Sequence, residues 1–468
     1  MSPMSPSPGW RVFAIVWSGQ LVSLVGSGLT SFVLGLWVLQ RTQSVTQFAL
    51  ILLSGALPRI FLSPLAGALV DRWDRRWVML LSDVGAGLSV LAVALLYFGQ
   101  QLAIWQIYIA TAVGAACATF QLPAYIAATT LLASRRQLGR VNGLLQLGLA
   151  SQDVLAPVIA GLLVVTLQLG GVLLIDVGTF VVSVFTLLSV RFPTPPTTAE
   201  GLQARGSLRR QMLYGWTYIV ARPGLLVLLV FFATTSFLNG LIASLIYPLI
   251  LSLASATQLG IIISLAGTGL VASSLLMSVW NGPQRRVLGV LGSQLVFGLG
   301  IIVIGLRPSG VLVAVGALIA HAALPVSNVT NQAIWQSKVA ADVQGRVFAM
   351  RQMVGRAATP IAFLLAGPLA DAVFNPLLTA HGALAGSLGQ VIGVGPGRGI
   401  GLIFLLMGIL ALLVAALGFL MPRLRSVERE LPDASEAALS TVRPEEQARA
   451  LQTYGKYSVL PPLTITAL

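Results

Sequence analysis

The chain has 468 residues, 56% hydrophobic and only 9% charged, where a soluble protein of this size carries roughly a quarter charged residues. Most of its surface therefore does not meet water. Its 28 basic residues outnumber 14 acidic ones for a net charge of +14, which on a soluble chain would point to nucleic acid; in so apolar a chain arginines mark cytoplasmic loops instead, and no nucleic-acid partner is expected. The single Cys117 excludes a disulfide framework and a cysteine metal site.

In chain order, residues 1–11 read as a cytosolic tail, and the apolar run after them is too long for a signal-peptide core, so it is a retained helix. A bilayer core needs about 20 apolar residues per helix, and polar breaks divide the chain into twelve such spans. Six fall within 12–190, at roughly 12–40, 46–70, 77–98, 103–132, 141–167 and 170–190. Six fall within 225–421, at roughly 225–251, 257–280, 287–306, 310–337, 347–374 and 399–421. The expected fold is all-α: twelve transmembrane helices in two pseudo-symmetric six-helix bundles. Charge placement tests the count. With the N-terminus inside, inner loops receive Arg72, Arg75, Arg76, Arg135, Arg136, Arg140, Arg285, Arg286, Lys338 and Arg423, while outer loops receive only Arg41, Arg307 and Arg398. An error of one span would scramble this asymmetry, so both termini are expected in the cytoplasm.

Residues 191–224 form a linker between the bundles, in which Leu208, Met212, Trp216 and Ile219 recur at helical spacing beside arginines. That pattern suits a helix lying on the membrane face, or a solvated linker. Residues 422–468 read as a short, disorder-like cytosolic tail. The halves echo each other: each has a proline inside a span (Pro123, Pro325), a polar-spotted stretch, and then Gly-Arg-Val before the next helix. Repeated halves place a solute site at their interface near the midplane.

Ionisable groups in hydrocarbon are costly and are functional candidates by default. All six Glu lie in the linker or the tail, and of eight Asp only Asp153 falls near mid-span. Asp153 is the first proton-carrier candidate and Asp176 the second; each could equally be a buried carboxylate paired with an arginine or hydroxyl. Asp83 is placed near the inner end of the third span and Asp371 near the outer end of the eleventh. Arg59, the one base near mid-span, reads as a counter-charge to an acid or an anionic substrate, or as half of a fixed ion pair. Arg351 and Arg356 read as snorkelling to the interface. Cavity candidates are Gln20, Ser23 and Ser27 on the first span, Gln121, Gln146 and Gln152 on the fourth and fifth, and Asn239, Asn328 and Asn331 on the seventh and tenth; small polar residues also glue helices together. No P-loop occurs, and two histidines and one cysteine leave little for catalysis, so no enzyme activity, cofactor or metal is expected.

The most specific local signal is the segment from Gly67 to Asp83, where a carboxylate can lie against a helix N-terminus across a domain gap and latch one gating state. Gly67, Leu69, Asp71, Arg72, Arg75 and Arg76 there match the form G-x-L-x-D-R-x-x-R-R, and in this the chain resembles the major facilitator superfamily. Leu57 to Arg59, Arg222 to Leu226, Gln344 to Ala349, Ala366 to Asp371 and Gly397 to Ile409 are similar to its macrolide-efflux-like branch of twelve-helix drug:proton antiporters. The fifth-span exporter signature is matched by Pro157 and Gly161, while Ala156 and Ala160 replace glycines; the second-half gating loop retains Gly282, Arg285 and Arg286 without an Asp. The resemblance implies a monomeric, proton-coupled exporter of lipophilic or amphipathic small molecules in a bacterial inner membrane, contacting lipid, substrate and protons. Uptake by the same fold, or a non-transporting membrane sensor or enzyme, are the alternatives.

Overall fold

A computed structural model describes residues 8–70, 73–132, 138–190, 208–279, 283–339 and 343–430. Helices α1 (Pro8–Thr42), α2 (Val45–Val70), α3 (Arg75–Phe98) and α4 (Ile104–Leu132) are followed by one run, Leu138–Leu188. At 1.5 Å per residue a straight run of that length would be about two and a half times as long as a bilayer core is thick. It is broken at Gln168, whose φ of 52° and ψ of −168° are not helical, so residues 138–167 form α5 and 169–188 form α6. After α7 (Leu208–Val220) come α8 (Pro223–Leu251), α9 (Ala256–Val279), α10 (Arg286–Leu306), α11 (Gly310–Lys338) and α12 (Gln344–Pro368), the last extended by a π-helical turn, Leu369–Phe374. Short turns α13 (Asn375–Leu377) and α14 (Leu388–Ile392) lead to α15 (Arg398–Leu420), then α16 (Pro422–Arg425) and α17 (Val427–Glu430). Among the described residues eleven runs are long and apolar enough to span a membrane, and the break at Gln168 makes twelve crossings of them.

Two faces result. One, here the basic face, carries the start of α1, the starts of α3 and α10, and the end of α15; the distal face carries the α1–α2, α5–α6 and α9–α8 turns. The pseudo-symmetry reaches side chains. Arg76, at the start of α3, donates from Nε to Leu187 O (3.1 Å) and from Nη2 to Leu188 O (2.8 Å), and Arg286, at the start of α10, donates from Nη1 to Ala333 O (3.0 Å). Asp74 caps α3 by accepting from Arg76 N at 2.9 Å. For α10 the carboxylate comes from the tail: Glu428 accepts from Arg286 N and Val287 N, each at 3.1 Å.

The tail expectation is therefore corrected for its first residues. Residues 422–430 are docked, with Leu424 and Val427 buried in the core of the second half beside Ile219, Leu225 and Val287. Their apolar spacing is too short to be seen as a pattern. Arg398 is corrected too: it is not a loop residue in water but buried at the head of α15, donating from Nη2 to Gly305 O at 2.9 Å. Helix α7 forms where the periodic linker stretch lies, burying Ile219 and exposing Tyr214 and Trp216.

Packing is uneven along the membrane normal. One large core joins both halves, including Phe32, Leu36, Ala156 and Ala160 from the first with Leu241, Leu245, Ala362 and Ala366 from the second. Towards the basic face the core divides. One cluster, with Phe13, Val16, Val78 and Leu187, belongs wholly to the first half. Another, with Leu225, Val287, Trp335 and Val347, belongs wholly to the second. Among the described residues no apolar cluster joins the halves at that face. Replacing a helix N-cap acceptor costs about 0.5–2 kcal/mol, so Glu428→Ala is expected to lower the unfolding free energy of the purified protein by about 1 kcal/mol and Glu428→Gln by less, read as thermal denaturation in detergent; equal stability of all three would show that the tail contact is idle.

Candidate functional site

The separation of the halves leaves a cavity of about 970 Å³. Helices α1 to α6 supply most of its wall and α12 the rest, through Phe348, Gln352, Met353, Arg356, Thr359 and Phe363. Those six recur at helical spacing and so share one face of α12.

The distal end is closed by contacts between halves. Asp371, at the end of α12, accepts from Ser44 Oγ (3.2 Å), Val45 N (3.4 Å), Thr46 N (3.0 Å) and Thr46 Oγ1 (2.9 Å). A carboxylate there answers both the unsatisfied N–H groups and the positive dipole end of α2. Gly367 is one turn earlier, and any side chain on it would collide with Thr46. Tyr247 of α8 packs its ring 5.6 Å from Phe32 and 5.5 Å from Phe48. On the other side of the seam, α5 crosses α9 backbone to backbone: a methyl built on Gly161 would lie 3.4 Å from Gly260 Cα, Thr257 Oγ1 donates to Gly161 O at 3.2 Å, and Ser264 Oγ donates to Val154 O. Ala156 and Ala160 are fully buried and Pro157 is buried too, so the segment resembling an exporter signature forms this crossing.

Of the residues singled out from sequence, Gln20, Ser23, Ser27, Gln121, Gln152, Arg59 and Asp176 line the cavity together. Asp176 is fully buried behind its surface, held by Thr179 Oγ1 at 3.1 Å. Its Oδ2 faces the Thr30 hydroxyl without a well-formed hydrogen bond between them, and neither atom has another partner. The side chains of Asp153 and Gln146, and the whole of Asp71 and Arg72, lie outside the described residues; Gly67 and Leu69 end α2, and Arg75 and Arg76 start α3.

Three cavity expectations are not met. Asn239 donates to Thr235 O in its own helix at 2.9 Å, Asn328 is exposed, and Asn331 is fully buried with neither amide atom bonded. None lines the cavity, because of the second half only α12 turns a face to it. The snorkelling expectation also fails. Arg351 is held inside the second half, 5.1 Å from the Trp335 ring centre and donating to Gln332 Oε1 at 2.8 Å, and Arg356 lines the cavity.

Asp83 is the residue that sequence reasoning undervalued. Fully buried, it accepts on Oδ2 from Gln20 Nε2 (2.9 Å) and Ser183 Oγ (2.7 Å), and on Oδ1 from Gln121 Nε2. Gln121 Nε2 also reaches Gln20 Oε1 at 2.8 Å. This network ties α1, α3, α4 and α6 together beside the cavity. The clue was available: two glutamines already chosen as cavity candidates need an acceptor in hydrocarbon.

A cavity between two six-helix halves, closed at one face and split at the other, is the geometry of a transporter. The sequence profile of the Major Facilitator Superfamily matches residues 16–363. The chain belongs to the major facilitator superfamily. Within it the chain falls in the macrolide-efflux-like branch. It is 28% identical over 372 residues to macrolide efflux protein A of Streptococcus pyogenes, covering 78% of this chain and 91% of that one. It is 27% identical over 369 residues to the multidrug efflux pump Tap of Mycobacterium tuberculosis, covering 75% and 85%. The fold is also that of a bacterial homologue of the human lysosomal transporter Spinster, solved in an inward-facing and unoccupied conformation, at a TM-score of 0.65 and 15% identity over 91% of this chain and 98% of that one.

Four hydrogen bonds, three from α2 and one from Ser44 just before it, converge on Asp371, and their loss should let the distal ends part. Asp371→Ala is expected to shift the distance distribution between spin labels at Gln40→Cys and Gln390→Cys, in a Cys117→Ser background, to longer values, and Asp371→Asn to shift it less. An unchanged distribution would remove the clamp from the gating account.

Proposed function

We propose that this superfamily transporter is a proton-coupled exporter of lipophilic or amphipathic small molecules, working by alternating access in a bacterial inner membrane. The observation that carries the reading is a cavity closed at the distal face, with a buried carboxyl of unfilled bonding capacity, Asp176, in its wall. Lysine and arginine excess marks the cytoplasmic side. On that basis the basic face and both termini lie in the cytoplasm, and the structure is the state open to it. The names of the macrolide and multidrug efflux relatives support the outward direction.

The chemistry asked of Asp176 is to change charge with access. Burial in low dielectric favours the neutral acid and water favours the carboxylate, so a carboxyl whose cavity opens alternately to two compartments takes a proton from one and yields it to the other. Thr30 and Thr179 beside it supply hydroxyls that donate to the carboxylate or accept from the acid. Arg59 is a mobile counter-charge on this account, and Asp153, one helix away on α5, is the second carrier candidate. The cargo meets Gln20, Ser23, Ser27, Gln121 and Gln152 on one side and apolar wall on the other, which suits molecules with both characters.

Proteoliposomes with an imposed pH gradient test this. Wild-type protein is expected to accumulate at least one of a panel of radiolabelled amphiphiles, a macrolide included, against its gradient. Asp176→Asn should lose gradient-driven accumulation by tenfold or more while keeping counterflow exchange. Full driven transport by both Asp176→Asn and Asp153→Asn would refute the coupling; inward rather than outward movement in intact cells would reverse the direction.

A further inference from the structure

Asp83 is fully buried and does not itself line the cavity, but the two glutamines bonded to it, Gln20 and Gln121, do. Its two oxygens are served unequally. Oδ2 accepts from Gln20 Nε2 (2.9 Å) and from Ser183 Oγ (2.7 Å), whereas Oδ1 accepts from Gln121 Nε2 alone. An ionised carboxylate only accepts, so each amide must turn its nitrogen towards it, and the charge on Asp83 fixes how both amides are turned. The other acceptors of the ring are taken as well: Ser183 Oγ accepts from Gln20 Nε2 at 2.7 Å and Gln20 Oε1 from Gln121 Nε2 at 2.8 Å. Among the described residues Gln121 Oε1 is the one acceptor of the ring without a partner, and it is this carbonyl oxygen that the ring shows to the cavity.

A proton on Asp83 upsets this count, because the acid has one donor more and less capacity to accept. It is taken most easily on Oδ1, where a single donor has to give way. The new O–H then faces Gln121 Nε2, donor against donor, in a buried ring where an unmatched polar group is costly. Turning the Gln121 amide over brings Oε1 onto the O–H and puts Nε2 in the cavity wall. Gln20 Oε1 loses its donor in the same step, which frees its amide to turn too. The wall beside the cargo therefore offers an acceptor when Asp83 is ionised and donors when it carries a proton.

We propose that Asp83 is a proton switch for cargo recognition: by positioning Gln121 it holds amphiphiles whose polar end donates a hydrogen bond while it is ionised, and releases them when it is protonated. This rests on the transport reading above and deepens it, naming a feature of the cargo and a second place for the proton. Proton and cargo exclude each other without sharing a site, which is what exchanging one for the other requires. The switch is distinct from Asp176, which lies seven residues nearer the distal end of α6 than Ser183, about 10 Å. Asp83 is eight residues from the start of α3, about 12 Å, on the side where the cores of the two halves are separate. The ionisable groups around it are few. Cys117 and Tyr125 lie one turn to either side of Gln121 on α4, and a Cβ on Gly85 would be 2.8 Å from the Cys117 sulfur. Arg76 is two turns back on α3 and bonded to carbonyls of α6, Asp176 is on α6, Asp153 on α5, and Arg59 of α2 is in the cavity wall. Helix α1 carries its charges, Arg11 and Arg41, towards its two ends.

The test uses two fluorescent probes that share one body, 11-(dansylamino)undecan-1-ol and its methyl ether. The alcohol end donates and accepts; the ether end only accepts. Each is titrated into purified full-length protein in neutral-lipid nanodiscs, with empty discs subtracted, at the acid and alkaline ends of the range in which the protein stays folded. At the alkaline end the alcohol is expected to bind about fivefold more tightly than the ether, the worth of one neutral hydrogen bond; at the acid end the two should agree within about twofold. Asp83→Asn should remove the pH dependence of that preference and Gln121→Leu the preference itself, while Asp153→Asn, Asp176→Asn and Cys117→Ser keep the wild-type pattern. Ether affinity within about twofold of wild type shows that a variant is folded, and a merely structural role for Asp83 would not move the ratio of the two probes with pH. A second readout needs no variant: in weak buffer with a pH dye, the alcohol should displace protons from the wild-type protein and the ether should displace fewer. A preference that is the same at both ends, one that is larger at the acid end, a pH dependence that survives Asp83→Asn, or equal proton release by both probes would overturn the proposal. Proteoliposomes separate its failure from that of the transport reading. A pH-dependent preference without gradient-driven movement keeps the switch and removes the pump, whereas driven transport with no such preference keeps the pump and removes the switch.

Discussion

Asp371 and the N-terminus of α2 hold the two halves together where everything else follows from their being held. Four donors reach one carboxylate across the seam, where it answers helix-end N–H groups that have no partner within their own helix. With that end pinned, the cavity is blind on one side, and the separation of the cores at the other face becomes an opening. Charge–dipole contacts of this kind are worth about a kcal/mol or somewhat more when partly buried. They are strong enough to define a state and weak enough to be exchanged for another set.

The opposite face is organised by the same chemistry with different partners. Asp74 and Glu428 cap equivalent helices in the two halves, while Arg76 and Arg286, at the starts of those helices, each reach a backbone carbonyl of another helix, α6 in one half and α11 in the other. The symmetry is in the physical requirement rather than in the residues: a helix start at a membrane boundary needs an acceptor, and the second half obtains it from beyond its last span. Lys338, whose Nζ donates to Glu428 O at 2.6 Å, fastens that segment to α11 as well.

What was legible in the sequence follows from what the bilayer enforces. Span number, bundle architecture and the distribution of arginines between faces come from length and transfer cost, and even the reversal at Gln168 sits between two spans read from composition. The rotation of each helix about its axis was not legible. A helix that meets lipid on one side and apolar partners on the other is greasy all round, so nothing in the spacing of Asn328 and Asn331 told that α11 turns them from the cavity, or that α12 turns Arg356 into it. Latch chemistry was anticipated at Asp71, in the loop after α2, and the structure displays it at Asp371, at the other end of the same helix. Asp71 itself lies outside the described residues, and Asp371 could not be singled out from sequence because its role depends on the tertiary pairing of α2 with α12. Asp83 was passed over for a related reason: its depth in the span was read correctly, but its value lies in partners on three other helices.

The bare crossing of α5 and α9 has a consequence for how such a molecule changes over time. Where Gly161 and Gly260 bring two main chains into contact, the links across the joint are two short hydroxyls, Thr257 and Ser264, each on a backbone carbonyl, so little side-chain interlock has to be broken and remade as the halves tilt, and the joint can act as a bearing. Variation in the lining can then retune which compounds are carried without altering how freely the halves turn. A single added methyl at the bearing would slow every cargo alike, and a lineage under pressure from new compounds would be expected to alter the wall freely and leave those two glycines alone.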